Sequence, residues 1–211
     1  MQKTQRMTVT GTGVQRPAWI TAGVKQLAIV VRDRSGSMSG EKARDASAAS
    51  TDLVNELAQP VNRDGFEIAV IDFDDSANVV HDVSPATTLE GGVKSIKVAG
   101  GTNITSGLKI AFDIINRGGE AEATNLRPVV LLFSDGGHNT GAGPDAISDK
   151  IKAVADLVTV AFGSDADEAL LQKLASSPQH FYRCRNGAEL RSFFAAVGAT
   201  MTASLQRREN A

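Results

Sequence analysis

Apolar positions along this chain change spacing repeatedly, and the changes mark its elements. Residues 27–31, Leu-Ala-Ile-Val-Val, form a short β-branched run suited to a strand buried on both faces. From residue 40 to about 59, Ala43, Ala46, Ser50, Leu53, Val54 and Leu57 recur at spacings of three and four, which predicts an amphipathic helix ended by Pro60. Residues 66–73 return to strand character. Asp74-Asp75-Ser76 predicts a turn into a third strand over 77–83, so the two strands should form an antiparallel hairpin.

The alternation continues downstream. Ile104, Leu108, Ala111, Phe112 and Ile115 predict a helix that starts after Gly100-Gly101-Thr102 and closes at Gly118-Gly119. Residues 128–133 are the most apolar strand and run into Ser134-Asp135-Gly136-Gly137. A helix over 144–154 follows, with Pro144 suited to its first turn. Then come a strand at 157–162, a short helix at 167–176 and a short strand at 181–183. Leu190, Phe193, Phe194, Val197, Met201 and Leu205 mark a long C-terminal amphipathic helix. This order predicts an α/β, doubly wound, Rossmann-like fold: a mostly parallel sheet, helices on both faces, and an antiparallel edge strand from the hairpin. Residues 1–24 read as a tail or an extra strand around 7–13, 25–206 as one domain, and 207–211 as a C-terminal tail.

Composition narrows the class. A chain of 211 residues with 42% hydrophobic and 22% charged residues suits one soluble α/β domain. A net charge of −2 leaves no electrostatic footprint for nucleic acid or an anionic membrane. No apolar run approaches the roughly 20 residues that span a bilayer, and none at the N-terminus has signal-peptide character. With Cys184 as the single cysteine, neither an internal disulfide nor a cysteine-based zinc site can form. Together these features predict a cytoplasmic protein.

The chemistry is concentrated in three loops at predicted strand ends or helix starts. They are Asp33-Arg34-Ser35-Gly36-Ser37-Met38-Ser39-Gly40, Gly100-Gly101-Thr102-Asn103, and Ser134-Asp135-Gly136-Gly137. Ligands of an open parallel sheet bind beyond the carboxyl ends of its strands, where the strand order reverses. Ser35, Ser37 and Thr102 offer neutral hydroxyl oxygens, and Asp33 and Asp135 offer carboxylates. Mg²⁺ prefers such oxygens at about 2.1 Å and keeps several waters. A metal held largely by hydroxyls retains positive charge and favours an anionic oxygen from outside. Ser, Thr and Asp also cap helices and form turns, which would explain any one loop alone.

The Asp-x-Ser-Gly-Ser-Met segment, Thr102 in the second loop and Asp135 in the third resemble a von Willebrand factor type A domain with its metal-ion-dependent adhesion site. The resemblance covers roughly residues 25–205. It implies a six-stranded sheet with one antiparallel edge and a bound Mg²⁺, Mn²⁺ or Ca²⁺, with Ser35, Ser37 and Thr102 close to the metal. It also implies non-catalytic binding of a protein that presents an Asp or Glu carboxylate. Within the family, a compact domain of this size is similar to TerY-like bacterial proteins of tellurite resistance and stress signalling, which points to kinase, phosphatase or ATPase partners. Arg34, Met38, Asn103 and His138 are the candidate partner contacts. Arg34 stands where small or acidic residues are usual and reads as a solvated side chain able to draw an acidic partner. His138 reads as an exposed loop histidine on the rim.

An enzyme reading competes. Asp72-Phe73-Asp74 resembles the D-x-D core of haloacid-dehalogenase-like phosphatases, a Mg²⁺-dependent class in which Asp72 and Asp74 would act. The short connection between the flanking strands argues against it, because a parallel pair needs a crossover of about a dozen residues. Residues 101–109 miss the G-x-x-x-x-G-K-[ST] spacing of a phosphate-binding loop. His81 and His180 lie away from the three loops, leaving no frame for a Ser/His/Asp triad. Cys184, between Arg183 and Arg185, reads as a strand-end thiol whose pKa those arginines could lower. A further alternative is a substrate adaptor of an ATPase or chelatase machine, with the ATPase supplied by a partner.

Overall fold

The computed structural model describes residues 24–117, 126–135 and 137–209. The tail or extra strand read around 7–13 and the closing Gly118-Gly119 lie outside the described residues.

Six strands form one sheet: β1 (Gln26–Asp33), β2 (Phe66–Phe73), β3 (Ala77–Pro85), β4 (Val129–Ser134), β5 (Asp156–Phe162) and β6 (Phe181–Cys184). Their spatial order is β3-β2-β1-β4-β5-β6. β3 is antiparallel to β2 and lies at one edge, and the remaining pairs are parallel. The chain first winds outward from β1 through β2 to β3, then restarts on the other side of β1 with β4. The switch point therefore lies between β1 and β4, where the polypeptide diverges to opposite sides and leaves a crevice.

Side chains of the central strands alternate between two cores. Ala28 and Val30 of β1, Leu131 and Phe133 of β4, and Val160 of β5 face α1 (Glu41–Leu57) and α5 (Gly187–Glu209) through Leu53, Val54, Leu190 and Phe194. Ile29, Val31, Val130 and Leu132 face the other side, against α2 (Ile104–Arg117), α3 (Asp145–Val154) and α4 (Glu168–Leu174). Both faces are covered, so the strands read as continuous apolar runs rather than alternating ones. α2 lies close on the sheet at Gly107, where a Cβ would come within 2.8 Å of Val31.

The C-terminal helix runs past the boundary the sequence reading gave it. α5 continues through residues 207–209, which the apolar spacing assigned to a tail. Its last turn carries Arg207 and Arg208 and no apolar residue; basic side chains suit a helix C-terminus but add nothing to the periodicity. Residues 86–103, which carry no periodic signal, form a long connection pinned by tertiary bonds. Ile96 N–H donates to Ser47 Oγ at 3.0 Å, Val93 N–H to Thr51 Oγ1 at 3.2 Å, and Arg32 Nη2 to the Lys94 carbonyl at 3.0 Å.

Candidate metal centre

The three loops meet at the switch point and are joined pairwise. β1 ends on Asp33, whose carboxylate is fully buried. Its Oδ1 accepts the Ser35 N–H at 2.8 Å, closing a local turn, and its Oδ2 accepts the Ser134 hydroxyl from the end of β4. Ser37 Oγ lies 3.0 Å from Ser35 Oγ and donates to Asp135 Oδ1 at 2.7 Å. The first and second loops are tied by backbone bonds, Gly36 N–H to the Gly100 carbonyl at 3.1 Å and Ala99 N–H to the Arg34 carbonyl at 2.8 Å. Asn139 ties the second loop to the third: its Oδ1 accepts the Thr102 N–H at 2.9 Å and its N–H donates to the Thr102 carbonyl at 3.0 Å. Asp33, Ser35, Thr102 and Asp135 are buried, and Ser37 lies exposed at the mouth.

Helix capping does not account for the serines. Ser35 precedes a single 3-10 turn, Gly36–Met38, without a side-chain capping bond, and the N-cap of α1 is Gly40. Their hydroxyls instead face each other and Asp135. Capping does account for Asn103, whose Oδ1 accepts the Ser106 N–H at 3.1 Å while its Nδ2 donates to the Asp75 carbonyl at 3.0 Å.

Burial pushes the Asp33 carboxyl up to about 6, against the hydrogen bonds from Ser134 and Ser35 that favour its charged form. A cation is already at the third loop. Lys42, in the first turn of α1, donates to Asp135 Oδ2 and to both oxygens of Asp165, at 3.1 and 3.2 Å. Partial burial pulls its pKa down, but the bonds to Asp135 and Asp165 hold it above the ordinary lysine value. Asp165 follows β5, beyond a left-handed Gly163 (φ +90°), where a Cβ would press on Asp165 and on Lys42 Cε.

These residues fit a hard divalent cation. Among the described residues, no three His, Cys, Asp or Glu side chains converge as a metal cluster, so holding an ion here depends on hydroxyls. The hydroxyls of Ser35 and Ser37 gather with the carboxylate of Asp135, Asp33 and Thr102 lie buried on the adjoining loops, and one of the two buried carboxylates, Asp135, already draws an ammonium.

Several expectations for the rim need correction. Met38 is not a partner contact; it is fully buried and packs in the core on the α1 face. Arg34 is not free to draw an acidic partner, because its guanidinium pairs with Asp74 at 2.6 Å. His138 is half-buried rather than an exposed loop histidine, and its Nδ1 accepts the Ile104 N–H at 3.2 Å at the start of α2. Asp72 and Asp74 are both buried, and Arg32 Nε pairs with Asp72 at 2.6 Å. With both carboxylates held by arginines, neither is presented as a nucleophile, and the hairpin after them is antiparallel. The arginines beside Cys184 do not lower its pKa; burial pushes the thiol up to about 11, and Glu189 adds to this. Arg183 is instead engaged with Glu168.

Lys42, Ser134, Asn139 and Asp165 were not singled out from the sequence. A lysine in a helix's first turn, where the macrodipole favours acids, was the available signal.

The von Willebrand factor type A domain model matches residues 28–196. Mouse inter alpha-trypsin inhibitor heavy chain 4 is 28% identical over 160 residues, covering 70% of this chain and 16% of that protein. Human calcium-activated chloride channel regulator 4 is 28% identical over 166 residues, covering 75% and 17%. This chain thus spans a small part of the length of these relatives. Among solved structures, a von Willebrand factor type A protein from Catenulispora acidiphila superposes with TM-score 0.69 at 20% identity, covering 85% of this chain and 43% of that one. Proximal thread matrix protein 1 from the mussel byssus, with a zinc-occupied MIDAS motif, gives 0.65 at 22% identity, covering 86% and 46%. The chain belongs to the von Willebrand factor type A domain family.

Proposed function

We propose that this domain is a non-catalytic, divalent-metal-dependent protein-binding module. Mg²⁺, or Mn²⁺ or Ca²⁺, is held by Asp33, Ser35, Ser37, Thr102 and Asp135, and a partner's Asp or Glu carboxylate completes the coordination. The observation that carries this reading is the charge at the switch point. Two buried carboxylates, Asp33 and Asp135, line the site, and Lys42 already draws on one of them. With the Ser134 and Ser37 hydroxyls and Lys42 already drawing on those carboxylates, an ion at the mouth marked by Ser37 is met largely by neutral oxygen and is short of negative charge, which favours an anionic oxygen from outside. The family's zinc-occupied relative supports a metal at the corresponding motif. Among the described residues no helix is long and apolar enough to cross a membrane.

Signalling in stress or tellurite resistance, with a kinase, phosphatase or ATPase as partner, is the finer version of this reading and rests on the sequence resemblance. Affinity capture from the native host with Mg²⁺ and with EDTA tests the function. The reading expects a partner protein retained with Mg²⁺, released by EDTA, and not captured by Asp33→Ala. Capture that is indifferent to EDTA contradicts it.

A further inference from the structure

Lys42 is out of place by helix electrostatics. It sits in the first turn of α1, where the positive end of the macrodipole disfavours a cation. What holds it there is tertiary. Its ammonium bridges Asp135, whose side chain is 0% exposed, and Asp165, whose side chain is 58% exposed. The two acceptors differ in what else they do. Asp135 Oδ1 takes the Ser37 hydroxyl, and its Oδ2 takes Lys42, so this metal-site carboxylate is fully engaged within the protein. Asp165 belongs to no part of the five-residue set and stands beside the mouth. Gly163 lets the turn after β5 bring Asp165 against the lysine stem.

We propose that Lys42 is a displaceable internal counter-ion that sets the metal affinity of the site. Its ammonium balances Asp135, and an incoming divalent cation moves it onto Asp165. The inference rests on the metal-binding reading above. A divalent ion and an ammonium compete for the same buried carboxylate charge. The flexible four-carbon stem lets the ammonium withdraw without backbone movement. Asp165 lowers the cost of withdrawal because it already holds the other side of the ammonium at 3.1 and 3.2 Å. The design keeps Asp135 paired at all times and makes metal binding a replacement of one cation by another.

Isothermal titration of Mg²⁺ and Mn²⁺ into the full chain, at fixed ionic strength, tests this in wild type, Lys42→Gln, Asp165→Asn and the double variant. Lys42→Gln is expected to bind metal more tightly, by up to roughly fivefold, the scale of one partly exposed ion pair. Asp165→Asn is expected to bind more weakly, because the ammonium then has only Asp135. In the Lys42→Gln background, Asp165→Asn is expected to change nothing further, which separates the relay from a general loss of negative charge. Circular dichroism in EDTA verifies folding, and Lys42→Met carries the same expectation should Lys42→Gln not fold. A lysine variant that binds equally or more weakly overturns the inference while leaving the metal reading intact. So does an Asp165→Asn effect that persists without the lysine. Metal binding by neither wild type nor the lysine variants overturns the metal reading and this inference with it.

Discussion

Ser37 and Asp135, 98 residues apart in the chain, meet through a 2.7 Å hydrogen bond across the switch point of the sheet. That bond carries the site's logic. A hydroxyl that donates to a carboxylate points its lone pairs elsewhere, and Ser35 Oγ, 3.0 Å away, shares the same mouth. The carboxylates are thereby engaged by the protein itself, Asp33 by Ser134 and Asp135 by Ser37 and Lys42. An ion held there is rich in neutral oxygen and poor in negative charge.

Keeping Asp33 charged in a buried position is a cost to the fold that the proposed metal binding would require. Asp33→Asn retains an acceptor for the Ser35 N–H and removes the buried charge, and the Ser134 hydroxyl can turn to accept from the new amide. In EDTA at neutral pH, this variant is expected to melt no lower than wild type, and its melting temperature is expected to gain nothing from Mg²⁺. Wild type is expected to show a concentration-dependent rise, as any ligand of the native state produces. Differential scanning calorimetry with and without Mg²⁺ measures both; a Mg²⁺-dependent rise in the variant equal to that of wild type contradicts the assignment.

Arg32 and Asp72 are a structural pair in this account. The guanidinium is fully buried, bonded to Asp72 at 2.6 Å, and also reaches the Lys94 carbonyl in the connection that carries Thr102. Arg32→Ala leaves a buried carboxylate unpaired and is expected to destabilise by about 3–5 kcal/mol. Replacing both partners by apolar residues, Arg32→Met with Asp72→Leu, is expected to recover most of that loss. Urea denaturation measures the two values, and equal destabilisation by the single and double variants contradicts the pairing.

Cys184 gives a pH dependence with a definite sign. Burial pushes its thiol up to about 11 in the folded protein, from an ordinary thiol value of 9.0. Between these values the native state binds more protons than the unfolded state, so this group's contribution falls as pH rises from about 9 to about 11. The same shift predicts slow alkylation by iodoacetamide in native protein at pH 8 and rapid alkylation in urea. Equal rates in the two conditions contradict the burial.

Much of this was legible in the sequence, for a physical reason. Strands buried on both faces must be continuous apolar runs, so β1, β2, β4 and β5 announced themselves, and the short Asp74-Asp75-Ser76 link required an antiparallel β3. The five candidate residues could be proposed because three loops of similar composition fall where a parallel sheet collects ligands. Lys42 and Asp165 were not, since Lys42 meets Asp135 from 93 residues away and Asp165 from 123, and single charges carry no periodic pattern. Met38 was misread because the loop was treated as exposed throughout, whereas its 3-10 turn rolls that one side chain into the core. His138 and Arg34 looked free because their partners, the Ile104 N–H and Asp74, lie on other loops.

The proposed function stands or falls on a divalent cation held by Asp33 and its partners. Calorimetric titration of Mg²⁺ into wild type and into Asp33→Ala tests it most directly. One-to-one binding by wild type and none by the variant is the expected result; equal binding by the two proteins would contradict a metal site at Asp33.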